Sequence, residues 1–398
     1  MTTKINNEHK KVYAPNLKDK GNGIRNVPNL RFPEFEGEWE KQKLCDISFI
    51  VGRIGFRGYT TNDIVEKGMG AIALSPTNIV NNQLTYDKDN TYISMSKYEE
   101  SPEIMINRGD VIFVKTGSTV GKVAYVDKLI CKTTLNPQVV VLKDIKCDNY
   151  ILSVIMSTRK FQNKIQRITV GGAVPTLSQV AMGNIFVSLP AAKEQEKISK
   201  FISLIDERIA TQNKIIDKLQ SLIKGIGKQL FMDNQNWRTV KIGELLRIGN
   251  GKDYKHLSIG KIPVYGTGGQ MLLVNDYLYD GESVCIGRKG TIDTPMFLKG
   301  KFWTVDTLFY TYDFKDVLPK FCYYLFLQIN WKLYNEGTGV PSLSKSTIEN
   351  IKVKIPSLEQ QQKICSILDC YEHKTNNEEQ ILELYHSEKQ YLLRQMFI

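Results

Sequence analysis

The sequence predicts an α+β protein with two tandem domains related by pseudo-two-fold symmetry and separated by long antiparallel coiled-coil helices. Three observations lead to this fold class: a long internal repeat, short β-rich runs between glycine and asparagine turns in each copy, and regularly spaced aliphatic residues after each copy. Because a sequence repeat reuses one structural unit, the two copies are expected to fold alike.

The internal repeat is clearest where Val-Pro-Thr-Leu-Ser at residues 174–178 returns as Val-Pro-Ser-Leu-Ser at 340–344. The match continues into the following segments, where Pro190, Gln195, Lys197 and Ile198 correspond to Pro356, Gln361, Lys363 and Ile364. Weaker matches lie upstream, among them Trp39 with Trp237. A shared frame with different interiors predicts two domains that do similar work on different targets; the alternative is a duplicated fold without any division of labour.

Five segments follow from this pattern. Residues 29–190 and 233–356 are the predicted α+β domains, because β-rich runs at 110–114, 137–142 and 303–310 alternate with turns, and each domain also holds a helical stretch, at 149–165 and 318–334. The helices are 191–232 and 357–398, and 1–28 is a flexible tail or a docking strap.

The predicted helices carry aliphatic residues at alternating steps of three and four, the spacing of a coiled-coil seam. On the central helix the seam is Ile202, Ile205, Ile209, Gln212, Ile216, Leu219, Ile223, Ile226 and Leu230, and on the C-terminal helix it is Leu368, Tyr371, Leu382, Tyr385 and Leu392. The polar Gln212 either sets the register or is only tolerated. At 1.5 Å per residue, about 40 residues form a spacer of roughly 60 Å between the domains; the alternative is that each helix packs on its own domain.

Composition favours a globular chain with a polyanionic partner. Of 398 residues, 42% are hydrophobic and 24% are charged, the balance of a globular protein. The net charge of +11 favours a polyanionic partner such as nucleic acid; the alternative is a basic protein with no such partner. No apolar run is long enough for a membrane span or a signal peptide, so we expect a cytoplasmic protein with no membrane partner. The seven cysteines have no paired spacing, which predicts reduced thiols and neither disulfides nor a metal site.

Motifs for chemistry are missing from the sequence. An amino-methyltransferase needs an Asn-Pro-Pro-aromatic loop, and the nearest string, Asn136-Pro137-Gln138, lacks the second proline and the aromatic residue. Residues 249–252 (Gly-Asn-Gly-Lys) lack the spacing of a phosphate-binding P-loop. We therefore expect a protein that is not an enzyme.

These features together resemble the specificity (S) subunits of type I restriction–modification systems, across nearly the whole chain. The resemblance is carried by the entry segment at residues 29–39, by the paired Val-Pro-[Ser/Thr]-Leu-Ser strings, and by the Pro-x-x-x-Glu-Gln-x-Lys-Ile helix start at Pro190, which recurs slightly altered at Pro356. Their doubled arrangement is the specific part of the signal.

The resemblance implies two target-recognition domains that each read one half of a bipartite double-stranded DNA target. It also implies that the helices set the unread gap and dock two methyltransferase (M) subunits, to which restriction/translocase (R) subunits are added. Adenine methylation and restriction would then belong to the partners. S-adenosylmethionine, ATP and Mg²⁺ are expected on those subunits, and no cofactor is expected on this chain.

Base readout needs polar side chains on loops that reach base edges, with cations nearby for phosphates. The candidates in domain 1 are Arg53, Arg57, Tyr59, Lys115, Thr116, Ser118, Thr119 and Lys122. Those in domain 2 are Lys252, Tyr254, Lys255, Tyr265, Thr267, Gln270, Arg288, Lys289 and Thr291. The alternative for each residue is an ordinary solvated turn position.

Two other classes of function remain open at this point. A stand-alone DNA-modifying enzyme predicts that the purified chain binds S-adenosylmethionine. A coiled-coil adaptor that binds protein or RNA predicts no preference for any duplex sequence.

Overall fold

The structure, a computed structural model, describes residues 26–86, 89–232 and 236–398. Packing divides the chain into unit 1, Met1–Ile209 with Leu384–Ile398, and unit 2, Ala210–Glu383. The predicted tail at 1–28 lies outside the described residues except for its last three. Of these, Asn26 accepts a hydrogen bond from the Trp39 backbone N–H at 2.8 Å.

Unit 1 is a mixed domain followed by a long helix. Its elements in chain order are β1 (Glu40–Lys43), α1 (Leu44–Ile47), β2 (Phe49–Gly52), β3 (Ile64–Val65), β4 (Ala71–Leu74), β5 (Ile79–Val80), β6 (Gln83–Leu84), β7 (Thr91–Ile93), α2 (Met95–Glu99), β8 (Val111–Val114), β9 (Val123–Tyr125), β10 (Thr133–Leu135), β11 (Val139–Lys143), α3 (Asn149–Ser157), α4 (Arg159–Ile168), α5 (Gln179–Gly183), β12 (Phe186–Leu189) and α6 (Ala192–Met232), of which α6 continues into unit 2. The sheets have the orders β1-β12, β10-β4-β7-β3 and β2-β11-β8-β9-β6-β5.

Unit 2 repeats this design with fewer strands. Its elements are β13 (Arg238–Lys241), α7 (Ile242–Leu245), β14 (Arg247–Asn250), β15 (Ile259–Gly266), β16 (Gly269–Val274), β17 (Tyr279–Gly287), β18 (Met296–Thr304), β19 (Leu308–Tyr312), α8 (Pro319–Gln328), α9 (Lys345–Asn350), β20 (Lys352–Ile355) and α10 (Leu358–Met396), of which α10 ends in unit 1. The sheets have the orders β13-β20 and β14-β19-β17-β18-β15-β16.

Two inner strands of the six-stranded sheet of unit 1, β8 and β11, are almost wholly apolar. β8 reads Val-Ile-Phe-Val and β11 reads Val-Val-Val-Leu-Lys, and every residue except the final lysine is buried. β-Branched and aromatic side chains favour strands, and a continuous apolar run fits a strand covered on both faces. These two strands therefore fix the core around which the turns are arranged.

The two units share their strand pairing as well as their element order. β1 pairs antiparallel with β12 and β13 pairs antiparallel with β20, and each pair closes the base of its domain. A parallel pair also recurs, β4 with β10 and β15 with β18. The predicted α+β class with two repeated domains is confirmed.

The long helices α6 and α10 contain 41 and 39 residues. Unit 1 holds the first half of α6 and the end of α10, whereas unit 2 holds the second half of α6 and the beginning of α10. Each unit therefore pairs the beginning of one helix with the end of the other, which is the predicted antiparallel arrangement.

The predicted seam residues are largely buried on both helices. Ile202, Ile205, Ile209, Gln212, Ile216, Leu219, Leu368 and Leu392 are at most 9% exposed, and Ile223, Ile226, Leu230, Tyr371, Leu382 and Tyr385 are partly buried. The polar Gln212 has a partner within unit 2, because its Nε2 donates to the Glu378 carbonyl at 2.9 Å and to the Glu378 carboxylate at 2.6 Å. A buried glutamine is thus satisfied within the seam.

Matching contacts hold each domain on its long helix. In unit 1 the Tyr150 hydroxyl of α3 donates to the Asp206 carboxylate of α6 at 2.6 Å. At the corresponding place in unit 2, Lys320 Nζ of α8 contacts the Glu372 carboxylate of α10, also at 2.6 Å. In each unit the carboxylate is contacted by both a tyrosine hydroxyl and a lysine ammonium group, since Lys389 also pairs with Asp206 and the Tyr324 hydroxyl also donates to Glu372.

Aromatic contacts also repeat where the long helices end. In unit 1 the ring of Phe397 packs edge-on against Trp39, with centroids 6.0 Å apart, and the Leu30 N–H donates to the Gln395 carbonyl at 2.9 Å. In unit 2 the rings of Phe231 and Trp237 are 5.7 Å apart. The last residues of the chain therefore cover the first tryptophan of unit 1.

Two predicted helical stretches and one predicted strand are interrupted in the structure. The stretch at 149–165 breaks into α3 and α4 at Thr158, whose backbone is extended and whose hydroxyl accepts the Phe161 N–H. The stretch at 318–334 is α8 followed by a 3₁₀ turn, Trp331–Tyr334. The run at 303–310 turns between β18 and β19, where the Leu308 N–H donates to the Val305 carbonyl. Local capping and turn bonds outweigh propensity in each case.

Within the described ranges, no helix combines the length and apolarity that a bilayer crossing requires. The same ranges contain no cluster of three or more His, Cys, Asp or Glu residues suited to a metal ion.

Candidate nucleic-acid interface

A short connection in each unit organises the predicted site residues. We call residues 134–138 and 303–307 the junction segments; the first joins β10 to β11 and the second joins β18 to β19. The Asn136 N–H donates to the Leu74 carbonyl in unit 1, and the Val305 N–H donates to the Tyr265 carbonyl in unit 2. Both junction segments therefore lie beside the end of the strand that runs parallel to β10 or β18.

The predicted loop at residues 115–122, here glycine loop 1, is held by several backbone hydrogen bonds, of which three are compared with unit 2. The Lys115 N–H donates to Gln138 of the junction segment at 2.8 Å. The Gly117 N–H donates to the Pro175 carbonyl at 2.9 Å, and the Leu177 N–H donates to the Lys115 carbonyl at 2.8 Å.

The predicted loop at residues 288–291, here glycine loop 2, has the same three bonds in unit 2. The Arg288 N–H donates to Thr307 of the junction segment at 2.8 Å. The Gly290 N–H donates to the Pro341 carbonyl at 2.8 Å, and the Leu343 N–H donates to the Arg288 carbonyl at 2.9 Å. The repeated Val-Pro-[Ser/Thr]-Leu-Ser string is thus the support of both loops.

Both loops also place glycine where the backbone is left-handed. Gly117 has φ +104° and Gly290 has φ +93°, values that residues with a Cβ avoid. The glycine lets the loop turn back so that its own N–H reaches the proline carbonyl. The frame is identical, and the side chains between its bonds differ.

Most predicted residues of glycine loop 1 are only partly exposed. Ser118 is exposed, whereas Lys115, Thr116, Thr119 and Lys122 are half-buried. Lys122 Nζ donates to the Ile79 carbonyl at 3.1 Å, which fixes one side of the loop. Ser118 therefore stands at the tip.

The predicted residues after β2 lie deeper in unit 1. Arg53 is 4% exposed, and its guanidinium donates to the Leu135 carbonyl at 2.8 Å and to the Thr134 hydroxyl at 3.1 Å. Burial lowers the pKa of Arg53 and raises the pKa of Tyr59, whose ring lies beside the guanidinium. Arg57 Nη1 lies 3.5 Å from the Glu103 carboxylate. In this conformation Arg53 holds the junction segment from inside.

The corresponding segment of unit 2 lies against its own junction segment. The Lys252 N–H donates to the Thr304 carbonyl at 2.9 Å, and the Trp303 indole N–H donates to the Lys252 carbonyl at 2.8 Å. The side chains of Lys252 and Lys255 are exposed. Tyr254 is partly buried and packs against a small core cluster that contains Val264, Val274, Trp303 and Val305.

The remaining predicted residues of unit 2 border glycine loop 2. Arg288, Lys289, Thr291 and Gln270 are exposed, and Tyr265 and Thr267 are half-buried. A Cβ built on Gly290 would lie 3.6 Å from the Thr267 hydroxyl, so the turn and the loop are neighbours. The structure thus gathers three separate predicted segments of unit 2 around one junction segment.

The junction segments themselves were missed as site candidates. Gln138 and Asp306 are exposed at the centre of the gathered segments, and Thr307 is half-exposed. Gln138 and Thr307 accept equivalent bonds in the two units but are different residue types, so the sequence repeat gives no signal for them.

Comparison with known proteins places this arrangement in a family. A family model described as "Type I restriction modification DNA specificity domain" matches residues 36–221 and 234–384, once for each copy of the repeat. The chain belongs to this family. It is a specificity subunit, and so a non-catalytic recognition subunit of a type I restriction–modification system.

Several relatives of this specificity subunit match along almost their whole length. The chain is 23% identical to the type I restriction enzyme MjaVIII specificity subunit of Methanocaldococcus jannaschii, over 91% of this chain and 93% of the relative. The solved type I restriction–modification S subunit from M. genitalium superposes with a TM-score of 0.57 at 16% identity, covering 94% and 99% of the two chains. A chain from a type I R-M system structure gives a TM-score of 0.53 at 14% identity, covering 89% and 96%. These structures support the fold of this specificity subunit.

Proposed function

We propose that this specificity subunit reads a bipartite DNA target, one half-site with each domain. The recognition domains are assigned to residues 29–190 and 233–356, and base contacts are assigned to glycine loops 1 and 2 with the segments gathered around their junction segments. The tip residue Ser118 and the exposed Arg288, Lys289, Gln270 and Lys252 are the foremost candidates.

The observation that carries this proposal is one hydrogen-bond frame with two different sets of loop residues. Lys115, Gly117 and Leu177 make the same backbone bonds as Arg288, Gly290 and Leu343. Glycine loop 1 exposes the hydroxyl group of Ser118 at its tip, whereas glycine loop 2 exposes Arg288, Lys289 and Thr291. Because bases are distinguished by their donor and acceptor patterns, different side chains on one frame suit different half-sites.

For the helices we propose two roles, spacing and docking. Helices of 41 and 39 residues measure about 60 Å each at 1.5 Å per residue. We assign the length of the unread gap to them, and assign the docking of two methyltransferase subunits to their exposed faces. Lys197, Lys200, Lys214, Lys218 and Lys224 lie on α6 and are proposed as contacts to the backbone of the gap.

Adenine methylation and restriction are assigned to the partner subunits, together with S-adenosylmethionine, ATP and Mg²⁺. The role of this chain is to direct them to a sequence. The net charge of +11 suits this role, because cations on the protein release counterions from duplex DNA.

The test is methylome sequencing of cells that express this chain with its neighbouring methyltransferase gene, compared with cells that lack only this chain. A bipartite adenine-methylated motif that disappears with the chain is the expected result. A motif that persists without the chain contradicts the proposal, as does the absence of any motif when the complex is expressed.

An exchange of residues 39–189 for the same part of a relative supplies the matched control. One half-site should change while the other and the gap stay the same. A change in both half-sites contradicts the assignment of one domain to each half.

A further inference from the structure

Unit 1 contains a basic cleft at the start of α4. The cleft has a volume of about 870 Å³ and is bordered by the first turn of α4, by β1 and by the end of α10, with Asn26 and Asn29 on its rim. Its cationic lining residues are Lys41, Arg159, Lys160, Lys164 and Arg394.

The positive charge of this cleft is not neutralised by carboxylate side chains. No lining residue is an aspartate or a glutamate. In the part of the chain that the structure describes, none of the five cations forms an ion pair, although Lys164 Nζ donates to the Phe186 carbonyl at 2.8 Å. Partial burial of the ammonium group lowers the pKa of Lys164, and repulsion by the positive charges of Lys160 and Lys41 lowers it further. A cleft of this kind favours an anion.

The start of α4 adds to this potential. Thr158 caps the helix, and Arg159 and Lys160 are its first two residues. The free N–H groups and the dipole at a helix N-terminus attract negative charge. Backbone and side chains therefore act in the same direction.

Helix α4 also connects the basic cleft to glycine loop 1. Gln162 Nε2 donates to the Gly121 carbonyl of that loop at 2.8 Å. Arg159, Lys160, Lys164 and Arg167 are exposed along the helix, whereas Phe161 and Ile165 are buried on the opposite face. From Arg159 to Arg167 the helix rises about 12 Å, the length of three or four phosphates on one strand of duplex DNA.

Unit 2 has no counterpart of α4 among its described residues. Its α8 is followed by the short 3₁₀ turn Trp331–Tyr334, and the next helix, α9, begins only at Lys345. At the base of unit 2, Arg238 is paired with Asp316 at 3.0 Å. The α4 side of the basic cleft therefore has no equivalent helix among the described residues of unit 2.

We propose that the basic cleft and the exposed face of α4 bind backbone phosphates of duplex DNA that flanks the half-site read by domain 1. This inference rests on the proposed function. Duplex DNA is favoured over an acidic protein because the helix that carries these cations also bonds glycine loop 1 through Gln162. The contact is independent of base sequence, so it adds affinity without adding specificity.

The experiment uses the full chain in complex with its methyltransferase subunits. The triple variant Arg159→Gln, Lys160→Gln and Lys164→Gln is compared with the charge-keeping variant Arg159→Lys, Lys160→Arg and Lys164→Arg. A remote control, Lys67→Gln, Lys128→Gln and Lys132→Gln, removes the same charge from residues that precede β4 and β10. Because those strands run parallel and end at the junction segment, the control residues lie at the other end of these strands from the junction segment.

The affinity of the complex for DNA is measured at several salt concentrations. One duplex carries the target motif found by methylome sequencing, and the other carries a scrambled sequence. For the glutamine variant we expect the slope of log K against log[salt] to fall by roughly 2 to 3, and the affinity near 0.15 M salt to fall on the order of 100-fold on both duplexes. The methylated motif should stay the same, and the charge-keeping variant should behave like the parent.

A glutamine variant with the slope of the remote control overturns the proposal. So does a glutamine variant that keeps its slope but loses its methyltransferase subunits, because the cleft would then hold an acidic protein surface. If the parent binds both duplexes equally, the proposed function fails, yet the slope on the scrambled duplex still decides whether the cleft binds phosphates.

Discussion

The side chain of Gln361 bonds to Leu318, 43 residues earlier in the chain, by accepting its backbone N–H at 2.8 Å. Its Nε2 donates to the carbonyls of Asp316 and Pro356 at 3.0 and 3.1 Å. In unit 1, Gln195 accepts the Asp148 N–H and donates to the Pro190 carbonyl, both at 2.8 Å. A glutamine at the start of each long helix therefore fastens that helix to its domain.

Replacing Gln361 by leucine should destabilise unit 2. Gln361 is fully buried, so the variant leaves the Leu318 N–H and two carbonyl groups without this partner, at a cost of about 1 to 3 kcal/mol per unsatisfied group. The loss of stability is measured by denaturant unfolding, with hydrogen exchange of the backbone amides at residues 316–328 as the local probe. The control is Gln362→Leu, one position along and exposed, and equal stability of the two variants contradicts the role of Gln361.

Replacing Gly117 by alanine should impair the half-site read by domain 1 only. The φ of +104° costs a residue with a Cβ about 1 to 2 kcal/mol, which displaces glycine loop 1. The measurement is the methylated motif and its level of modification. The matched control is Gly172→Ala, where a Cβ meets open space, and Gly290→Ala should produce the same effect on the other half-site.

The substitution Arg288→Ala should relax one position of the half-site read by domain 2. A bidentate arginine contact to guanine contributes about 1 to 3 kcal/mol of discrimination. Arg247→Ala is the control, because Arg247 is also exposed but lies at the far end of β14 from the junction segment. The position-by-position methylation frequency tests this, and relaxation of both half-sites would contradict it.

The cysteines should divide by reactivity. Cys45, Cys131 and Cys370 are exposed, whereas burial raises the pKa of Cys147, Cys285 and Cys365 to about 12. Since only the thiolate reacts, these three should alkylate roughly 1,000-fold more slowly than an unperturbed thiol at neutral pH, and their rates should rise about tenfold per pH unit. Mass spectrometry after timed labelling of the native chain measures the rates, and fast labelling of Cys285 would show that its strand opens.

Inserting one heptad into both long helices should lengthen the unread gap and leave both half-sites unchanged. A heptad keeps the seam facing its partner and adds about 10 Å of helix. Methylome sequencing reads the gap directly. An insertion of four residues in each helix is the control, because it rotates the seam and should abolish modification; an unchanged gap after the heptad insertion rejects the spacing role.

The repeat made much of this fold predictable from sequence. Matched strings such as Val-Pro-[Ser/Thr]-Leu-Ser mark residues that keep one backbone frame, and the apolar spacing on α6 follows the burial of Ile202 and Ile216. Glycine loops 1 and 2 were located for the same reason. Periodicity and matched strings report the backbone frame, which both copies share.

Side-chain placement was less predictable. Arg53 is a cation beside a glycine in a predicted loop, which is typical of a DNA contact. In the structure its guanidinium lies inside unit 1 and bonds to Thr134 and Leu135. The backbone carbonyl groups of Gln138 and Thr307 accept equivalent hydrogen bonds from the two glycine loops. Any residue supplies such a carbonyl group, so the two positions need not be identical in sequence. The break between α3 and α4 depends on the hydroxyl group of one residue, Thr158, which caps α4. Helix propensity averaged over residues 149–165 does not detect such a single capping residue.

The contact between Trp39 and Phe397 bears on how the chain folds as it leaves the ribosome. Domains ordinarily fold as they emerge, with the N-terminal domain first. Here unit 1 includes residues from both ends, since Leu384–Ile398 belongs to it. All residues of unit 2 are translated before Phe397, whereas Trp39 gains its ring contact only after Phe397 has left the ribosome. The domain that is translated first is thus the last to be completed.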